Sequence, residues 1–284
     1  CYSRSTYCGN LDGYDNFTPK SSKDIFTKGL NWGELKTTEN KLLYNKIVEQ
    51  SELEQLINLS SAGSVEASFK LSDYYLENGK EAQSFDVLNR LNKSENKDVY
   101  RRLGYLYQKG IGTIQNIEEA IFYYNKACEL GDEVSEFNLA LIYYQNKEFD
   151  KALPHLLVGQ ANNHLNSIKM LAEFYQKGYS VDINLEIAKK LYEKVLSMGD
   201  TSVLFILGVI EQKLLNDEVA LSYFLKCIDH NDLRGYIEAA NCYLTGKGTI
   251  KNIERGMEIL KAGAEKNDER CIKQLSSFEN RGVN

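Results

Sequence analysis

Leu103-Gly104-Tyr105-Leu106-Tyr107-Gln108-Lys109-Gly110-Ile111-Gly112-Thr113-Ile114-Gln115-Asn116 is the stretch whose reading decides the fold. A leucine followed by a small residue stands at its head. The same pair recurs at Leu71-Ser72, Leu139-Ala140, Leu171-Ala172, Leu207-Gly208 and Leu275-Ser276, with Ala239-Ala240 in the remaining place. Successive pairs lie 32, 36, 32, 36, 32 and 36 residues apart. A fixed period in this range marks a stacked repeat array, in which each repeat packs only on its neighbours.

Taking each leucine as position zero, the residue four earlier is Ala67, Val99, Ser135, Ser167, Val203, Gly235 or Cys271, and all are small. The residue four later is Tyr75, Tyr107, Tyr143, Tyr175 or Tyr243, with Glu211 and Glu279 as departures. These offsets share one face of an α-helix, here called helix A. Small side chains on that face let a second helix approach closely, and the tyrosine supplies apolar area at the seam. Eight residues before each anchor stand Gly63, Glu95, Gly131, Asn163, Gly199, Asn231 and Asn267. Glycine and asparagine tolerate the left-handed conformation that ends a helix, so a preceding helix B stops there.

The two repeat lengths differ in the connection from A to B. Long repeats insert Gly110 to Asn116, Gly178 to Asn184 and Gly246 to Asn252, each followed two residues later by Glu118, Glu186 or Glu254. Asparagine caps a helix N-terminus, and glutamate suits the positive end of the helix dipole. Short repeats lack four residues here, and Pro154 then falls in the first turn of its helix or just beyond. The pattern formed by Leu103, Gly104, Tyr107, Gly110, Gly112, Ala120, Tyr123, Ala127 and Gly131 resembles the Sel1-like repeat. The short repeats look more like tetratricopeptide repeats. The resemblance covers about residues 63–278 and implies an all-α fold: a right-handed α-solenoid of antiparallel helix pairs with alternating 32- and 36-residue repeats. A cysteine-rich branch of that family staples helices A and B with a disulfide. Cys128 holds the helix B place of that staple, but the helix A place is Tyr100, so neither the staple nor the β-lactam binding proposed for that branch carries over.

Residues 1–34 fall outside the repeat and form an irregular leader with Tyr2, Tyr7, Tyr14, Phe17, Phe26 and Trp32; the repeat region is residues 35–284. Residues 38–62 read as a degenerate helix pair, and the last repeat as a lone helix A, Asp268–Phe278, with Lys273 and Gln274 facing water. The first residue is Cys1. A mature chain that begins with cysteine resembles a bacterial lipoprotein, which implies lipidation at Cys1, a membrane held through that lipid, and a periplasmic, outer-membrane-anchored setting. Six cysteines make an even count without a disulfide framework; pairing of Cys1 with Cys8 and of Cys242 with Cys271 stays open, while Cys128 and Cys227 read as buried free thiols. The net charge of −6 argues against nucleic acid as a partner.

Offsets −2 and +2 lie opposite the core-facing arc of helix A at ~100° per residue. In arrays of the resembled families that side lines the concave surface. The residues there include Phe69, Arg101, Tyr105, Phe137, Leu141, Lys169, Phe205, Val209 and Ile237, the candidate partner-binding set. Phenylalanine holds −2 in three consecutive short repeats, and Arg, Lys or Ile holds it in the long ones. Two readings compete: a groove for an extended or helical segment of another protein, or phenylalanines packed between neighbouring repeats. No catalytic, cofactor or metal set emerges. His155, His164 and His230 form no ligand spacing and read as structural or surface residues. The glycine loops lack the Lys-Ser/Thr of a phosphate loop.

The expected function is a non-enzymatic protein–protein scaffold, set in an envelope assembly for secretion, polysaccharide export, motility or cell-wall work. One alternative is a receptor or inhibitor that engages a small molecule or glycan through the aromatic leader. The sequons at Asn16, Asn58 and Asn92 keep a second alternative, an endoplasmic-reticulum degradation adaptor.

Overall fold

The structure, a computed structural model, describes residues 38–279, with side chains from 50 to 278. Among them every regular element is helical, and no strand occurs. The A helices are α2 (Val65–Glu77), α4 (Lys97–Lys109), α6 (Glu133–Gln145), α8 (Leu165–Lys177), α10 (Leu204–Lys213), α12 (Arg234–Thr245) and α14 (Glu269–Glu279). The B helices are α3 (Glu81–Asn89), α5 (Ile117–Glu129), α7 (Phe149–Ala161), α9 (Leu185–Ser197), α11 (Asp217–Asp229) and α13 (Ile253–Glu265). α1 (Thr38–Ser61) precedes them. The chain divides into two compact units, one ending at Ser135 and one starting at Glu136.

Unit 1 packs α1 on α2, α2 on α3, α3 on α4 and α4 on α5. Its core holds Phe69, Phe85, Leu88, Val99, Leu103 and Leu106. Unit 2 repeats the scheme, with each helix from α7 to α14 packed on the next. Connections this short force consecutive helices to run antiparallel. Each unit is therefore a solenoid-type run of helix pairs, as the repeat period requires.

The small residues do what their size predicts. A Cβ added at Gly104 would lie 2.8 Å from the Tyr124 ring, and one at Gly208 would lie 2.5 Å from the Phe224 ring. Glycine at these points lets helix A settle directly on an aromatic ring of helix B. The turns before each A helix also follow the pattern: Gly63, Glu95, Gly131, Asn163, Gly199, Asn231 and Asn267 all have positive φ, from 52° to 97°. Glu95 adopts the conformation without the tolerance of glycine or asparagine, so the repeat geometry overrides the residue's own preference.

The long connections do more than lengthen the repeat. Asn116, Asn184 and Asn252 cap α5, α9 and α13 through their side chains. Upstream of the caps, the extra residues reach back to the preceding short repeat. A Cβ at Gly112 would lie 2.1 Å from the Glu81 carbonyl oxygen, and one at Gly248 would lie 2.2 Å from that of Asp217. In the middle long repeat Tyr179 stacks on Phe149 with ring centroids 4.1 Å apart. Each long loop thus covers the start of the preceding helix B.

Three details differ from the expectations. Residues 38–61 form one continuous helix rather than a pair, because the segment holds no Gly or Pro to stop it. Pro154, the sixth residue of α7, stands just beyond the first turn, where the sequence placed it. Gln274 is half-buried and donates to Asn241 Oδ1 at 2.8 Å instead of facing water, whereas Lys273 is exposed. Cys242 and Cys271 are free, buried thiols, as is Cys227; Cys128 is half-buried rather than buried. Cys1, Cys8 and the aromatic leader lie outside the described residues.

Candidate protein-binding face

The −2 row is largely engaged in joining repeats, by two chemistries that alternate. In short repeats it is aromatic. The Arg102 guanidinium lies over the Phe69 ring at 4.5 Å, the His164 ring lies 5.4 Å from Phe137, and the Arg234 guanidinium lies over Phe205 at 4.7 Å. Each covering group belongs to the next helix A or to its N-cap. In the first two long repeats the row is ionic, and in the third it is the aliphatic Ile237. Arg101 pairs with Asp132, and Lys169 Nζ donates to Asp200 Oδ2 at 2.8 Å and to Ser202 Oγ. Asp132 accepts in turn from Ser135 N at 2.8 Å, and Asp200 accepts from Ser202 N at 2.9 Å, so both aspartates cap the helical turn that follows. Exposure agrees with these contacts: Phe69, Phe137 and Ile237 are only 9%, 6% and 8% exposed. Arg101, Lys169 and Phe205 are half-buried.

The +2 row is set differently. Asp73, Tyr105, Leu141, Glu173, Val209 and Asn241 are all half-buried, so each offers part of its side chain to solvent. In unit 2 this row alternates Leu141, Glu173, Val209 and Asn241, apolar in short repeats and polar in long ones. In unit 1 Asp73 pairs with Arg102 of the next helix A. Of the sequence-chosen set, Tyr105 in unit 1 and Leu141 and Val209 in unit 2 keep accessible surface, whereas Phe69 in unit 1 and Phe137 and Ile237 in unit 2 are nearly covered.

An aspartate that accepts from a backbone N–H of the following turn recurs along unit 2 at Asp200, Asp232 and Asp268. Arg234 donates to Asp232 at 2.7 Å, and Arg270 donates to Asp268 at 2.6 Å. The hydrogen bond from Arg234 holds Asp232 below the usual carboxylate range, and Arg270 does the same for Asp268. Burial works against charge on Asp200, but the bonds from Lys169 and Ser202 prevail and its pKa is also lowered. Arg234 and Arg270 also donate to the Ser202 and Leu233 carbonyls of the preceding turns, at 3.4 and 3.2 Å. This chain of contacts was not read from the sequence. Its signal was the 31-residue spacing from Arg101 to Asp132 and from Lys169 to Asp200.

Two of the histidines have side-chain partners. His155 Nδ1 lies 2.6 Å from Glu136 Oε2, and His164 caps α8 rather than ending a B helix, with Nδ1 accepting from Ser167 N at 3.3 Å. Glu211, where five of the seven repeats place tyrosine, is buried beside Lys189 at 3.5 Å and accepts from Asn216 at 2.8 Å. Among the described residues no group of three or more His, Cys, Asp or Glu side chains is arranged to hold a metal ion. No described helix is long and apolar enough to cross a membrane.

The Sel1 repeat profile matches residues 98–132, 167–200 and 234–268, each beginning at or within three residues of the N-terminus of a long-repeat helix A. The chain carries Sel1 repeats. The three matched segments are the long repeats, and the short repeats between them complete the same helix-pair geometry. A sel1-like repeat-containing protein of Acanthamoeba polyphaga mimivirus is 28% identical over 142 residues, which cover 49% of this chain and 24% of that protein. A protective antigen of uropathogenic Escherichia coli with an SLR fold superposes with a TM-score of 0.66 and 23% identity, covering 81% of this chain and 52% of that one. A Sel1 repeat protein from Oxalobacter formigenes gives 0.59 and 21%, covering 74% and 87%. The chain thus spans about a quarter of the curated relative's length and about half of the antigen's. Sel1-repeat proteins are in general protein-interaction scaffolds and typically non-catalytic.

Proposed function

We propose that this Sel1-repeat chain is a scaffold that receives a segment of another protein along the A-helix face of unit 2. The observation that carries the reading is the division of labour between the two rows. The −2 residues are spent on repeat-to-repeat contacts, while Leu141 and Val209 at +2 keep accessible apolar surface in alternation with Glu173 and Asn241. Alternating apolar and hydrogen-bonding groups on a preformed helical surface suit an extended or helical peptide, with apolar anchors about two repeats apart. The finer form of the proposal keeps the envelope setting expected from Cys1, and mass analysis of the native N-terminal peptide tests it for acylation.

The binding test targets +2 and not −2. Aspartate at Phe137 would unfold the junction and lose partners for a trivial reason. Leu141→Asp with Val209→Asp changes the accessible row while leaving the covered −2 residues intact. The expected result is loss of co-purifying protein with an unchanged helical circular dichroism spectrum. Full retention of the partner would overturn the reading.

A further inference from the structure

The scaffold face uses the A helices and leaves one edge of unit 2 without a role. In a stack of antiparallel pairs every A-to-B connection lies on the same edge. Taking the residue before the N-cap and the third residue of the helix, four successive B helices carry Lys147 and Lys151, Ile183 and Ile187, Leu215 and Val219, then Lys251 and Arg255. In the last of these connections Ile250 and Ile253 stand beside the two basic residues. All six aliphatic residues are exposed, Leu215 at 81% and Ile250 at 89%. Loop edges are ordinarily polar, and a bounded row of exposed aliphatics marks an interaction surface. The row stops at Lys147 and Lys151 on one side. Its charges are uneven: Asp182 and Glu186 flank the first aliphatic pair, whereas Lys247, Lys251 and Arg255 surround the last, with Glu254 among them; Glu186 pairs with Lys189, Lys247 with Asp217 and Arg255 with Glu258, so the complementarity rests on Asp182 and Lys251.

We propose that this edge is a self-association surface on which a second copy of the chain docks antiparallel, about a two-fold axis near Leu215. A two-fold interface places residue i against j and j against i. Ile183 and Ile187 of one copy then meet Ile250 and Ile253 of the other. The acidic end faces the basic end twice, and Leu215 meets its own counterpart. A parallel arrangement would bring like charges together. The A-helix face stays open, so two partner-binding faces are joined in one assembly.

Sedimentation equilibrium of the full chain tests this independently of any partner, so failure here leaves the scaffold reading standing. The expected result is a monomer–dimer equilibrium whose dissociation constant rises about tenfold or more in Leu215→Glu and in Ile250→Glu, with an unchanged circular dichroism spectrum. Lys251→Asp weakens the dimer, and pairing it with Asp182→Lys restores it. A chain that stays monomeric to about 0.1 mM, or a dimer indifferent to Leu215→Glu, overturns the proposal. So does a charge reversal that fails to rescue.

Discussion

Short and long repeats hold the same backbone place at −2 and perform the same task with opposite chemistry. In a short repeat a phenylalanine slides under a cation or an imidazole of the next repeat. In the first two long repeats a cation reaches across to the aspartate that caps the next helical turn, and the third places Ile237 there. An aromatic junction gains its stability from apolar burial, which salt leaves largely intact. An ionic junction gains less, because the charges are partly solvated, but it also supplies an acceptor to helix N–H groups that would otherwise be unpaired. The alternation therefore gives one chain two kinds of joint with different sensitivities to mutation, salt and pH.

The largest break should come at an aromatic joint. Phe137→Ala removes a nearly buried ring between α6 and α8, and large-to-small changes of this type cost ~3 kcal/mol or more. Urea or thermal unfolding followed by circular dichroism reads the loss. A change under ~1 kcal/mol would show that the ring contributes little beyond filling the surface. At the ionic joint, Asp132→Ala removes both the partner of Arg101 and the cap on Ser135 N. Loss of an N-cap costs ~1 kcal/mol. Asp132→Asn, which keeps a capping oxygen, should recover more than half of that. Equal losses in the two variants would mean that the ion pair and not the cap carries the effect.

How much of this was legible in the sequence follows from what each residue answers to. The anchor leucines, the small residues beside them and the capping asparagines are constrained by contacts within one repeat, so their spacing alone placed the helices. Glu95 shows that even a residue ill-suited to a left-handed turn takes it when the repeat geometry demands. The −2 phenylalanines answer instead to a neighbour 27 to 33 residues away, as Phe137 does to His164 and Phe69 to Arg102. A helical projection of one repeat shows them pointing away from its own core and hides the neighbour that covers them. For that reason groove and packing were both open in the sequence. The reach of the long loops was hidden in the same way, because Gly112 reads as a turn residue until the Glu81 carbonyl is seen beneath it. The single helix at 38–61 was missed by matching its apolar residues to a repeat, although the absence of Gly and Pro already argued for continuity.

pH acts on the capping aspartates. Asp232 and Asp268 have folded pKa values held below the unfolded one by Arg234 and Arg270. A carboxyl depressed on folding adds stability that is fully present above its unfolded pKa, near ~4, and is lost as pH falls through the folded value. Unit 2 should therefore weaken on acidification below about pH 4. Asp232→Asn should show a shallower decline over that range than the parent chain. An identical acid profile in the two would remove Asp232 from the account.

The smallest effect tests the short connection alone. Gly79, Lys147 and Leu215 occupy the same left-handed turn position at 68-residue intervals, with φ of 69°, 61° and 64°. Only the first is glycine. A side chain in this conformation costs roughly 1–2 kcal/mol, and glycine also has more freedom to lose on folding, which returns part of the gain. Lys147 is exposed, so Lys147→Gly removes strain without opening a cavity. The expected outcome is a stabilisation of about 0.5–1 kcal/mol, seen as a higher urea midpoint at unchanged slope. A destabilisation would show that the lysine makes a contact across the short turn worth more than the strain it carries. The short and long repeats would then differ in how they tolerate a left-handed side chain as well as in how they join.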